Sequence, residues 1–260
     1  MIQRAAVSVV LGLVLFAQVA SAHSTLKCDG PSTPTGPAPS LQQILDGLVV
    51  AGPAIDANAP IDVELWQNSA GPMTVQLVAD YTGKWQGVIP GMYDPDTLKK
   101  AFFHIPTPSD VATVMFNDNG SITVHGGWKP NKVFGFEGPF GFFVKTFDSK
   151  HHGKHHGKHG DSNIFFTQPA LNGDEARAKV FQGDGVTVLK LPGLAPGVFL
   201  PSQFLIAWET GLGDANDGQF NDFLFLVSNV VAVTAPEPAF AFLLGISALA
   251  VVCGRRARST

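Results

Sequence analysis

The residues best suited to chemistry lie in a short acidic segment near the end of the chain. The apolar run 204–208 ends at Glu209 and is followed by GLGDANDGQFNDFLFLV. Carboxylate and amide side chains crowd between these two apolar runs: Glu209, Asp214, Asn216, Asp217, Asn221 and Asp222. Oxygen ligands at short spacing are what calcium requires. A plain acidic turn is the other interpretation, because Asp, Asn and Gly are also the usual turn formers.

A histidine-rich stretch is the second candidate. HHGKHHGKHG carries five imidazoles within nine residues: His151, His152, His155, His156 and His159. Several imidazoles can bind one zinc, nickel or copper ion. The intervening glycines make the stretch flexible, which disfavours an ordered catalytic site, and its lysines repel a cation. The alternative is a low-complexity loop insert at 150–160 that binds metal only in vitro.

A third set of residues is scattered and has the side-chain types of a hydrolytic triad: His104, Ser109, Asp110, Asp118, Ser121 and His125. The sequence has neither a G-x-S-x-G elbow nor an H-E-x-x-H helix to organise them. We therefore assign no catalytic residues and predict that the protein is not an enzyme.

The elements that position these residues are expected to be strands. Charged residues are only 15% of the chain, while glycine (28), proline (19) and phenylalanine (20) are abundant. That composition favours strands joined by turns. Nine segments have strand character: 61–66, 73–81, 111–116, 121–125, 140–146, 164–167, 186–190, 204–208 and 223–227. The predicted fold class is all-β, with a β-sandwich or jelly-roll-like ectodomain.

Two local signals complete this outline. Ser40 and Gln43 form a capping box ahead of a helical apolar spacing, which predicts one short N-terminal helix ending near Gly52. The Asn119-Gly120 step fits a tight hairpin turn between two predicted strands. The ectodomain is expected to span 40–233, after a Pro/Gly-rich linker at 23–39.

The N-terminus has the parts of a secretory signal peptide at 1–22. Arg4 precedes an apolar stretch that ends in an A-x-A site formed by Ala20 and Ala22. We expect export through the Sec machinery and cleavage after Ala22. An uncleaved membrane anchor is the alternative.

The C-terminal segment 234–260 combines three features. Pro236, Glu237 and Pro238 form an extended step, because two prolines break a preceding strand or helix. The apolar run 239–254 is long enough for a short transmembrane helix. The arginines that follow favour a cytoplasmic end: Arg255, Arg256 and Arg258. A buried core helix is the alternative, although such helices rarely end in three arginines.

These three features, in this order, resemble the PEP-CTERM sorting signal of Gram-negative bacteria. The resemblance implies recognition by an exosortase-type processing enzyme and removal of the tail. It also implies an inner-membrane-anchored precursor that is delivered to the cell surface or to an exopolysaccharide matrix.

A second resemblance covers about residues 100–230. The segments FGFFVKTF, NIFFTQPALNGDEARAKVF and FLIAWETGLGDANDGQFNDFLFLV are similar to a domain of unknown function found in calcium-rich bacterial surface proteins. The resemblance implies an all-β fold and shared acidic positions at Glu209, Asp214, Asp217, Asn221 and Asp222. Extra residues in the acidic segment and the histidine-rich insert depart from that pattern.

Charge and cysteine content narrow the possible partners. Between His23 and Pro236 there are 13 Lys and Arg against 20 Asp and Glu, a formal charge of −7. An acidic ectodomain is a poor partner for nucleic acid and a fair one for divalent cations. Cys28 is the only cysteine before the tail, so no internal disulfide is expected.

The leading hypothesis is a non-enzymatic structural or adhesive protein of the cell surface or matrix, stabilised by calcium. The alternative is a lectin-like carbohydrate-binding module of the extracellular matrix. In that case any of four aromatic residues, if exposed, would stack on a sugar ring: Trp66, Trp85, Trp128 or Tyr93. Exposure of these side chains favours the lectin, whereas burial favours the structural role.

Overall fold

The computed structural model describes residues 39–81, 88–126, 131–136, 138–147, 162–211 and 217–233. Within these ranges the chain is mostly β, with one short α-helix, α1 (Leu41–Leu48), and a 3₁₀ turn at Pro169–Asn172. The strands are β1 (Val49–Ala51), β2 (Leu65–Asn68), β3 (Met73–Asp80), β4 (Val88–Tyr93), β5 (Lys100–Phe102), β6 (Val111–Phe116), β7 (Ser121–His125), β8 (Asn131–Phe134), β9 (Gly141–Phe147), β10 (Ser162–Phe166), β11 (Ala178–Gln182), β12 (Val188–Leu189), β13 (Gly197–Val198), β14 (Gln203–Trp208), β15 (Phe223–Ser228) and β16 (Val230–Val233). The prediction of an all-β fold with one short helix is confirmed.

The helix begins as its capping box predicts but ends early. The backbone N–H of Gln43 donates to Ser40 Oγ at 3.3 Å, and Ser40 N–H donates to Gln43 Oε1 at 2.8 Å. The helix ends at Leu48, so the expected end near Gly52 is wrong. The reason is tertiary: Val49 is extended and pairs with Leu189, so the chain passes directly from α1 into β1.

Most predicted strands lie within a few residues of the observed ones. The bounds of β6 and β7 are as predicted. The segment 61–66 is largely wrong, because β2 begins only at Leu65 and Ile61 makes a single bridge to Val180. The unpredicted strands are mostly short, and β4 contains Pro90 and Gly91, which disfavour a strand in sequence patterns.

The strands form two main sheets. The seven-stranded sheet has the order β11-β14-β15-β3-β6-β7-β8, and the four-stranded sheet has the order β10-β9-β4-β5. Two smaller groups are β1-β12-β13 and β16-β2. All the named strand pairs are antiparallel.

The seven-stranded sheet buries both of its faces over β11, β14, β15 and β3. One face shares a core with the four-stranded sheet, where the Phe142 ring lies 5.8 Å from that of Phe225 and 5.0 Å from that of Trp66. The opposite face packs Leu205 and Leu226 against α1 and the small β1-β12-β13 sheet. Because these strands are fixed from both sides, their ends form a stable frame for the acidic segment.

Several predicted segments lie outside the described residues. They are the signal peptide at 1–22, nearly all of the linker at 23–39, the insert at 150–160 and the tail at 234–260 with its apolar run 239–254. Within the described ranges, no helix is long and apolar enough to cross a membrane.

Candidate functional site

The acidic segment is the loop that joins β14 to β15 at the closed end of their hairpin. Trp208 pairs with Phe223, and Asp222 N–H donates to the carbonyl of Trp208 at 3.2 Å. Glu209 and Asp222 therefore form the next residue pair after the last pair of the two adjacent strands. Opposed carboxylates at such a position repel each other.

Asp222 is fixed by hydrogen bonds from the opposite strand. Its Oδ2 accepts from Thr210 N–H at 2.7 Å and from Thr210 Oγ1 at 2.9 Å. Its carbonyl oxygen accepts from Tyr81 N–H at 2.8 Å, which connects the hairpin end to β3. These contacts hold the Asp222 carboxylate beside Glu209.

Glu209 is the most unusual group in this cluster because only 1% of its surface is exposed. Its Oε1 accepts from Gly211 N–H at 3.0 Å, and its Oε2 accepts from Phe220 N–H at 3.4 Å. Burial raises the pKa of Glu209 to about 7; the Gly211 N–H opposes that rise, while the Asp222 charge and hydrogen bonding to the carboxyls of Asp217 and Asp222 reinforce it. The Glu209 carboxyl group therefore lies beside the carboxyl group of Asp222 and beside that of Asp217.

No basic side chain neutralises this group among the described residues. The nearest candidate by strand pairing is Arg177, whose carbonyl accepts from Glu209 N–H at 3.0 Å. Its guanidinium binds elsewhere: Nη1 donates to the carbonyl of Gly211 at 2.7 Å, and Nη2 forms an ion pair with Glu175. The guanidinium also lies 5.0 Å from the centre of the Phe165 ring. Arg177 thus holds the backbone of the segment, and no ion pair among the described residues joins a basic side chain to Glu209, Asp217 or Asp222.

Arg177 is the functional neighbour that sequence reasoning missed. It is buried, with 7% of its surface exposed. A usable signal was present, because the only arginine between residues 23 and 235 is Arg177, while the other basic residues there are lysines. A lone arginine among lysines in an acidic segment of chain indicates a side chain used for its planar set of donors.

The remaining predicted calcium ligands are placed unevenly. Asp217 Oδ1 accepts from Gln219 N–H at 2.9 Å, which forms a local turn. Asn221 Nδ2 donates to the carbonyl of Pro39 at 2.7 Å and so anchors the backbone just before α1. Asp214 and Asn216 lie outside the described residues. Within the described part, no group of three or more His, Cys, Asp or Glu side chains forms a ready metal site, so Glu209, Asp217 and Asp222 supply only part of a ligand set.

The histidine stretch lies outside the described residues, and its transition-metal role stays a prediction. The strands on either side of it, β9 and β10, are paired, and Ser162 lies opposite Phe147. The insert therefore connects two neighbouring strands of the four-stranded sheet.

The scattered triad residues are used in turns. Asp110 Oδ2 accepts from Thr107 N–H and Oγ1, both at 2.7 Å, and Ser121 Oγ donates to Asn119 Oδ1 at 2.6 Å. Asp110 precedes β6 and Asp118 follows it, so they lie at opposite ends of that strand.

Two of the four aromatic residues of the lectin hypothesis lie where they cannot contact a sugar. Trp66 and Tyr93 are fully buried, each with 0% of its surface exposed, so the expectation that they stack on sugar rings is wrong. The cause is packing: Trp66 contacts Phe142 and Phe204 in the core, and Tyr93 packs edge-on against Phe166. Trp85 and Trp128 lie outside the described residues.

Comparison with known proteins adds no assignment to this geometry. No family model matches the sequence, and neither a curated protein nor a solved structure matches it.

Proposed function

We propose that this protein is an exported, non-enzymatic component of the cell surface or extracellular matrix, and that calcium bound at the acidic segment stabilises it. The observation that carries the calcium proposal is that the buried Glu209 lies beside the carboxyl groups of Asp217 and Asp222, with no basic side chain paired to them among the described residues. The role is structural or adhesive, with exopolysaccharide as the expected partner.

The chemistry of the cluster favours a cation. Removing an ionised carboxylate from water is costly unless the charge is paired. Glu209 is the buried member of the cluster, and beside the carboxyl groups of Asp222 and Asp217 it needs either a proton or a metal ion. Calcium prefers several oxygen ligands in flexible geometry, which suits carboxylates carried on a segment rich in Gly, Asn and Asp. We propose that Glu209, Asp217 and Asp222 hold the ion together with Asp214, and that Asn221 supports the site by its bond to Pro39.

The position of the cluster explains why a bound ion would stabilise the fold. β14 and β15 are neighbouring inner strands of the seven-stranded sheet, and the cluster lies in the loop that connects them. A cation there would remove the repulsion between Glu209 and Asp222 and would fix the segment that joins the two strands. We also propose that the two main sheets, which share one core, form a β-sandwich with jelly-roll-like character.

Sorting and localisation are proposed from the two ends of the sequence. The signal peptide, the Pro-Glu-Pro step, the apolar run and the terminal arginines support export, an inner-membrane-anchored precursor and processing by an exosortase-type enzyme.

Thermal unfolding of the full-length protein in mild detergent tests the calcium proposal. At about a hundred times its dissociation constant, calcium should add roughly 2.7 kcal/mol to the free energy of unfolding, because it binds only the folded chain. For a domain of this size, that gain corresponds to a rise in Tm of about 5 to 10 °C. The shift should be lost in an Asp217→Ala/Asp222→Ala variant and on addition of a chelator.

An Asp62→Asn variant is the matched control, since it removes one exposed carboxylate away from the cluster. It should keep the full calcium shift. Equal melting curves with calcium and with chelator would reduce the acidic segment to a turn. A shift that survives in the Asp217→Ala/Asp222→Ala variant would place the calcium elsewhere.

A further inference from the structure

A second polar site lies away from the acidic segment, at the turn between β6 and β7. An open groove of about 880 Å³ runs between this turn and the end of β2. Its side chains combine amides, one carboxylate and aromatic rings; those that matter here are Gln67, Asn68, Phe116, Asn117, Asp118 and Asn119. None of the described lining residues is basic. The groove is therefore suited to a polar ligand that carries no negative charge.

In this turn, the side-chain amides of Asn117 and Asn119 each use one polar atom in hydrogen bonds within the turn and keep the other polar atom for a ligand. Asn117 Nδ2 donates to Ser121 O and Oγ, both at 3.1 Å, and to Thr123 Oγ1 at 3.2 Å. Asn119 Oδ1 accepts from Ser121 N–H at 3.2 Å and from Ser121 Oγ at 2.6 Å. The ends that remain are an acceptor, Asn117 Oδ1, and a donor, Asn119 Nδ2. A donor and an acceptor held close together match neighbouring hydroxyl groups, each of which both donates and accepts.

An enclosed polar atom in the same groove lacks a partner. Asn68 Oδ1 is buried and has no hydrogen bond within the described structure. Asn68 lines the groove, and a buried acceptor without a partner costs about 1 to 3 kcal/mol, so a ligand hydroxyl that reached this oxygen would remove that cost. Gln67 and Asp118 are exposed beside it and extend the polar surface outward.

An aromatic ring completes the groove. Phe116 stacks on Phe140 with ring centres 5.4 Å apart and planes tilted by 27°. One face of the Phe116 ring is thus occupied, and the ring remains partly exposed where it lines the groove. An apolar ring beside amides and a carboxylate can contact the C–H face of a pyranose while the polar groups bind its hydroxyls.

We propose that this groove binds a segment of a neutral polysaccharide. A cation is disfavoured because Asp118 is the only carboxylate among the described lining residues, and an anion is disfavoured by that same charge. The open form of the groove suits an internal stretch of a polymer. This proposal rests on the proposed function, because it gives the expected exopolysaccharide partner a binding site, and it uses none of the acidic residues of the calcium cluster.

Native affinity electrophoresis of the full-length protein in mild detergent tests the groove. The gels contain, in turn, a soluble β-glucan, a galactomannan, a xylan and a dextran. At least one polymer should retard the protein, and a Gln67→Ala/Asp118→Ala variant should bind it about tenfold more weakly, because two hydrogen bonds are lost. Phe116→Leu should also weaken binding, since it removes the ring and keeps an apolar side chain.

The matched control is Asp62→Ala/Gln182→Ala, which removes the same two side-chain types from exposed positions outside the groove. It should bind like the unmodified protein. Retardation should persist with chelator below the melting temperature, so loss of calcium binding and loss of sugar binding are separate results. Absence of retardation by all four polymers, or equal retardation of every variant, would overturn the proposal.

Discussion

Replacing Phe142 with alanine is expected to lower the free energy of unfolding by about 3 to 5 kcal/mol. Phe142 is fully buried, and its ring lies 5.0 Å from that of Trp66, 5.7 Å from Phe140 and 5.8 Å from Phe225. Because Phe142 belongs to β9 and Phe225 to β15, these contacts join the two main sheets. Truncation removes the ring and leaves a cavity between the sheets.

Phe102 provides a control of the same residue type in the same sheet. It lies on the edge strand β5, is 38% exposed and makes one edge-on contact with Phe143 at 5.2 Å. Phe102→Ala should cost less, about 1 to 2 kcal/mol, because more than a third of its surface stays exposed to water. Urea unfolding of both variants measures the difference as a change in midpoint with the slope unchanged. Equal losses in the two variants would contradict the shared core.

Local features of the fold were predictable because their causes lie within a few residues. The capping box of Ser40 and Gln43 involves neighbours three positions apart. The β6–β7 turn follows from Asn119-Gly120, and Gly120 adopts a positive φ of 69° that other residues rarely accept. In the structure this turn has one residue more than the tightest hairpin, because Asn117 pairs with Ser121.

Long-range features could not be predicted from these patterns. β15 lies between β14 and β3, although more than 140 residues separate β3 from β15. The sequence shows which segments are apolar, but it does not show which segments pair, because pairing depends on contacts across the whole core. The same limit applied to β4, where Pro90 is tolerated between two neighbouring strands.

The candidate site was predicted in part for the same reason. The expected strands placed Glu209 at the end of one strand and Asp222 just before the next, and the structure pairs these two strands in one hairpin. The near-complete burial of Glu209 and the contact of Arg177 with Gly211 depend on β11 and on distant packing. These two contacts distinguish the acidic segment from an ordinary exposed turn, because they leave a buried carboxyl group that is not paired with the nearby guanidinium.

The cluster should make stability fall as the pH rises when calcium is absent. The pKa of Glu209 rises from 4.5 to about 7 on folding, so the folded chain keeps a proton that the unfolded chain has released. The stabilising effect is complete below pH 4.5 and is lost as the pH rises to about 7. One pKa unit corresponds to about 1.36 kcal/mol. Allowing for screening by solvent at the loop end of the hairpin, the loss in the free energy of unfolding is on the order of 2 kcal/mol.

A Glu209→Gln variant isolates this effect from other titrating groups. Asp217, Asp222, Glu175 and Arg177 remain around the position, so the difference between the two proteins reports Glu209 alone. Urea unfolding at pH 5 and pH 8 with chelator should show the unmodified protein losing about 2 kcal/mol more than the variant. A variant with the same pH dependence as the unmodified protein would show that Glu209 ionises normally in the folded chain.

Excess calcium should remove this pH dependence from the unmodified protein, because the ion takes the place of the proton on Glu209. Calcium should therefore stabilise the protein more at pH 8 than at pH 5, where it competes with the proton on Glu209. The Glu209→Gln variant lacks one ionisable ligand and should gain less from calcium at both pH values. A calcium effect of equal size at pH 5 and pH 8 would mean that ion and proton occupy different sites, and Glu209 would no longer be a ligand.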